Sequence, residues 1–148
     1  MDDGPYPSLA PRAAELKGFE EPDAPPPAPV VADPRLDAEV AGLSARLAKA
    51  AGAFATAARA ATAAGARARG AAAGSEPWIA AQLALAELDV LRTETSETVT
   101  DLDQLAIARA TTLAPDYPAL ETARAEARAE ADREAATIAR IGAGLAPA

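Results

Sequence analysis

Residues 33–74 read DPRLDAEVAGLSARLAKAAGAFATAARAATAAGARARGAAAG. Asp33 is a good N-cap and Pro34 suits the first helical position, where its missing N–H costs nothing. From there large apolar residues recur at 4-3-4 spacing: Leu36, Val40, Leu43, Leu47, then Ala50 and Phe54. The same frame continues through Ala57, Ala61, Ala64, Ala68 and Ala71. Such spacing is a heptad seam, here with a second half made of alanine. The stretch predicts one helix over 34–73, with Gly74 as its stop. Gly42, Gly52, Gly65 and Gly70 each cost about 1 kcal/mol against Ala in a helix interior. We read them as places where another backbone comes close.

Outward from this helix, Ser75-Glu76-Pro77 offers a cap and a first-turn proline, and a second helix is predicted over 77–113. Its apolar residues, including Trp78, Ile79, Leu83, Leu85, Leu88, Leu91, Val99, Leu102, Leu105 and Ile107, cover more than one stripe, as expected of a helix with two neighbours. The segment Thr93–Thr100 is rich in hydroxyl residues and reads as a polar solvent face or a local weakness. Ala114-Pro115-Asp116-Tyr117-Pro118 breaks the chain again. A third helix is predicted over 118–142, with Leu120, Ala123, Ala127, Ala131, Ile138, Ile141 and Leu145 on one side. Glu121–Arg124, Glu130–Arg133 and Arg128–Asp132 lie at helical neighbour spacings.

Two helices of about 60 and 56 Å joined by a tight turn read as an antiparallel hairpin. Charge agrees: residues 35–74 hold six bases and two acids, and residues 75–114 two bases and seven acids. Small alanines near the turn would face the larger Trp78, Leu85 and Leu88, filling space without voids. The shorter third helix is expected beside Leu36, Leu43, Leu47, Leu102 and Leu105, leaving the tip near Gly74 as a two-helix arm. The predicted class is all-α: a long antiparallel hairpin plus a shorter third helix, a three-helix bundle or coiled coil over 34–145.

Residues 1–33 differ in kind. Nine of the 13 prolines lie in residues 1–34, together with seven acids against Arg12 and Lys17. Proline and like-charge repulsion predict a disordered acidic tether, with one or two helical turns available over Ala10–Phe19. A polyproline ligand for a partner domain is the alternative. No basic, apolar signal segment follows Met1, and no run of about 18 uncharged apolar residues occurs.

The composition also limits function. Alanine supplies 45 of the 148 residues, and Leu, Ile, Val and Phe together only 25, so no thick core is expected. With no Cys and no His, disulfides, thiolate or imidazole metal sites and Ser-His-Asp catalysis are excluded. A net charge of −8 argues against a nucleic-acid-binding field. No phosphate loop, Rossmann or EF-hand spacing occurs. We therefore expect no enzyme activity, no cofactor and no resident metal.

Two features carry the weaker alternatives. Arg59, Arg67 and Arg69 form a small basic patch for an anion or nucleic acid, or else complement the helix dipole. Glu94, Glu97 and Asp101 share a face suited to a hard cation, or else to solvent. With Trp78, the three arginines are the candidate interaction residues.

The opening Tyr6-Pro7-Ser8-Leu9-Ala10-Pro11-Arg12, with Glu15 following, and the turn Gly74-Ser75-Glu76-Pro77-Trp78 resemble small alanine-rich helical proteins of alphaproteobacteria, uncharacterised envelope proteins and lipoproteins. The resemblance implies export and a proline-rich tether linking an acylated N-terminus to a periplasmic bundle. The lipobox cysteine of that pattern is absent here. Arg outnumbers Lys 12 to 2, consistent with a GC-rich genome. The expectation is a structural or adaptor protein of the cell envelope, with its signal and any membrane anchor outside this chain, binding a protein partner by helix packing. The alternative compartment is the cytoplasm.

Overall fold

The computed structural model describes residues 29–145, and everything below concerns those residues. Residues 1–28 of the tether expected over 1–33, with the Ala10–Phe19 turns and the Tyr6–Arg12 motif, lie outside them, and residues 29–33 form neither helix nor strand. Three helices follow in order: α1 Pro34–Ala68, α2 Glu76–Thr111 and α3 Pro118–Ala143. No strand occurs among the described residues, and all three helices pack on one another as an all-α bundle.

Each helix begins with a proline in its first turn. At α1 the Asp33 carboxylate accepts the Leu36 N–H at 3.1 Å, satisfying one donor the helix itself leaves open. Ser75 stands in the cap position of α2 but makes no such bond. The first helix ends at Ala68, five residues before the expected 73. Arg69 is already extended and Gly70 takes φ +73°, a left-handed conformation that only glycine adopts without strain. Gly74, at φ +83°, completes the reversal.

Of the expected close backbone approaches, Gly42 and Gly52 show none: a Cβ there would meet nothing within 4 Å. At Gly65 the neighbour is a side chain, Ile141 Cγ2, 3.2 Å from where a Cβ would sit. The end of α2 carries a strained turn. Leu113 N–H donates to Ala110 O at 3.0 Å and Ala114 N–H to Arg109 O at 3.2 Å, a Schellman pair with Leu113 itself at φ +55°.

The core has two apolar ends. At the end where α1 begins, Leu36, Val40, Leu102, Tyr117, Leu120, Ala123 and Ala127 cluster. At the hairpin end, Phe54, Ala61, Ala68, Ala81, Leu85, Leu88, Ile141 and Leu145 cluster. The second cluster corrects the expected projecting arm. α3 starts beside the start of α1, where the Tyr117 hydroxyl donates to Asp37 at 2.7 Å, and runs toward the turn. Ile141 and Leu145 thus cover the alanines of α1. The seam reading of α1 holds: Leu36, Val40, Ala50, Phe54, Ala61 and Ala68 are buried.

The hydroxyl-rich stretch of α2 is also corrected. Thr95 and Thr98 are fully buried, not on a solvent face. Leu88, Thr95 and Leu102 stand seven residues apart, so the heptad frame carries the threonines into the core. Thr98 meets its hydrogen-bonding need locally, donating to Glu94 O at 2.9 Å.

Candidate functional site

The three candidate arginines do not form one patch. All are exposed, with Arg67 in the last turn of α1 and Arg69 at its cap. At roughly 100° per residue Arg67 points roughly 80° away from Arg59, and Arg69 lies past the helix end on extended backbone. Arg59 instead faces α3, where it shares a groove with Arg133 and Arg140. Arg133 is paired with Glu130 one turn away. Among the described residues, no carboxylate lies within ion-pair distance of Arg59 or Arg140. The proximity of Arg59 and Arg140 crosses between helices 81 positions apart, so spacing along the chain carried no sign of it. Trp78 is half-buried in the first turn of α2.

Glu94, Glu97 and Asp101 do converge, and the cation they surround is a guanidinium of this chain. Arg46 on α1 donates to Glu94 at 3.2 Å, Glu97 at 2.5 Å and Asp101 at 2.9 Å. The hydrogen bond to Glu94, then the nearby negative charges, hold the Arg46 guanidinium above its ordinary pKa against the cost of burial. No group of three or more acidic ligands arranged for a metal ion occurs among the described residues. The cluster locks α1 to α2 and expresses the charge complementarity between those helices.

A second ionic cluster ties α2 to α3. Asp103 accepts from Arg124 at 2.8 Å and from Arg128 at 2.7 Å, and these bonds lower its pKa. Arg128 thus reaches across to α2 instead of pairing with Asp132. Glu121–Arg124 and Glu130–Arg133 form as their spacing predicts.

Midway between the apolar ends sits a residue the sequence reading passed over. Glu134 on α3 is only 1% exposed. Its Oε1 accepts the Thr95 hydroxyl at 2.9 Å, and its Oε2 has no partner. Burial raises the pKa of this carboxyl, opposed by the Thr95 hydrogen bond. The signal was present in the spacing: Ala127, Glu134 and Ile141 stand seven apart on the buried side of α3.

On the outer side of α2 an apolar stripe is left open. Ile79, Leu83 and Val90 are 46, 67 and 71% exposed. With Ala86 they follow 4-3-4 spacing, one face of the helix. The expected coverage of α2 by two neighbours therefore leaves this face bare along its first half. Glu76, Glu87 and Asp89 flank it, and no base occurs between residues 76 and 91.

No helix among the described residues is long and apolar enough to cross a membrane. No family model, no curated protein and no solved structure matches this chain.

Proposed function

We propose that this chain is a non-enzymatic structural or adaptor protein that binds a protein partner by helix packing on the outer face of α2. The observation that carries this reading is the exposed Ile79–Leu83–Val90 stripe. Large apolar side chains at heptad spacing are the pattern by which one helix seats another. The alanine-rich half of α1 offers no such face, because Ile141 and Leu145 pack against it.

Charge selects the partner. A second copy laid on this stripe would bring the same acidic borders, Glu76, Glu87 and Asp89, with no base between residues 76 and 91 to offset them, which opposes self-association. An amphipathic helix flanked by Lys or Arg meets both the stripe and its acidic borders. The test is a titration with two designed peptides of one apolar seam, one flanked by Lys and one by Glu, read by amide shifts. The Lys-flanked peptide is expected to shift residues 79–90 saturably, and Leu83→Asp to abolish the effect. Equal binding of both peptides, or of neither, refutes the reading.

The envelope setting, with the N-terminal segment as a tether, is part of the same proposal and rests on the resemblance carried by residues 6–12 and 74–78. Fractionation of cells producing the native protein tests it. Recovery with the cytosolic fraction refutes it.

A further inference from the structure

The groove between α1 and α3 has a volume of about 440 Å³, within the range of small-molecule sites. Phe54, Ala55 and Ala58 supply an apolar wall, and Arg59 and Arg140 stand on its rim. Glu134 lines it from α3. A buried polar atom without a partner is costly, and native proteins rarely tolerate one without a reason. Glu134 Oε2 is such an atom, on a residue that lines the groove.

The charges decide what would fit. Glu134 is influenced by Thr95 and Arg92 of α2 and by Glu130 and Arg133 of α3, with Arg59 of α1 across the groove. Glu130 and Arg133 neutralise each other. Burial raises the pKa of Glu134 against the Thr95 hydrogen bond, so the protonated fraction of this carboxyl grows as pH falls. Arg59 and Arg140 outnumber Glu134 among the remaining lining charges, so the groove is positive whether or not Glu134 is ionised. Their exposed side chains are long enough to turn toward a bound group.

We propose that this groove binds a small amphipathic organic anion, a single oxyanion head on a compact hydrocarbon body. The head meets Arg59 and Arg140, the body lies on Phe54, Ala55 and Ala58, and Glu134 repels the head less once it is protonated. The site is separate from the α2 face, so either proposal can fail without the other.

The intact chain is titrated at neutral pH with hexanoate, hexylammonium and inorganic phosphate, following backbone amides. Hexanoate is expected to give saturable shifts at Ala55, Ala58 and Thr137 while the other two do not. Saturable binding of hexylammonium there, phosphate matching hexanoate, or no saturable response to hexanoate overturns the proposal. Arg59→Gln and Arg140→Gln alter exposed side chains, and circular dichroism checks that the fold is kept. Each is expected to weaken hexanoate about tenfold, the scale of one lost charge-assisted hydrogen bond, and unchanged affinity in both overturns it. Hexanesulfonate stays ionised at every pH used. Its binding is expected to tighten as pH falls through the raised pKa of Glu134, and Glu134→Gln to flatten that profile. A wild-type profile already flat overturns the part assigned to Glu134.

Discussion

At the end where α1 begins, Leu36, Val40, Leu102 and Leu120 fill the core with large side chains. There the Tyr117 hydroxyl donates to Asp37, and Arg109 lies 5.0 Å over its ring. At the hairpin end the core is built by contrast of size. Ala61, Gly65, Ala68 and Ala81 let Leu85, Leu88, Ile141 and Leu145 close in. Large residues stabilise by the area each removes from water, whereas the small ones allow close approach and contribute little area apiece. The first end should thus be sensitive to removed atoms and the second to added ones.

The largest expected effect is at the first end. Leu102→Ala deletes a fully buried side chain and should cost about 2–5 kcal/mol in chemical denaturation. A loss well under this range would mean that the leucine end collapses around the cavity, and the contrast would weaken. Next comes overpacking at the hairpin end. Ala61→Leu should cost about 1–3 kcal/mol, because Ala61 is fully buried against the other helices. Ala66→Leu, on the exposed side of the same helix, should cost almost nothing. Equal melting temperatures for the two variants would refute close packing of the alanine seam.

Between the two ends, Glu134 should show itself through pH. Its folded-state pKa is raised above the ordinary 4.5, so its stabilising contribution is full below that value and is lost as pH rises through the raised one. Asp103, lowered from 3.8, acts in a separate window: its contribution is lost as pH falls below 3.8. The melting temperature of the wild type minus that of Glu134→Gln should therefore grow as pH falls from neutral toward 4.5. A constant difference would show that the carboxyl titrates normally. The smallest effect is a gain. Leu113 is 93% exposed and holds φ +55° with no packing to justify it. Leu113→Gly relieves strain of about 1–2 kcal/mol, partly offset by glycine's entropy, for a net gain of about 0.5–1 kcal/mol in thermal melts.

The helical fold was legible because heptad spacing is a local property. Asp33, Leu36, Val40 and Phe54 declare a start and a seam without reference to the rest of the chain. Residue type misleads where position in the heptad decides burial. Thr95 and Glu134 are polar, yet each stands seven residues from buried neighbours on both sides. The three arginines are close in sequence, yet Arg67 points away from Arg59 and Arg69 lies past the helix end.

By itself the sequence determined the three helices, their antiparallel hairpin and the side of α1 that is buried, because a period of 3.5 residues fixes which side chains share a face. It also determined the absence of thiol and imidazole chemistry, since no Cys or His is present. Only the tertiary structure decided how far α3 reaches, since its course depends on where Tyr117 meets Asp37, 80 positions away. It likewise decided that Arg46 takes up three carboxylates, that Thr95 meets Glu134 and that Arg59 shares a groove with Arg140. Each of these joins residues on different helices, and their rotation about one another is set by the packing of all three, which no local pattern encodes.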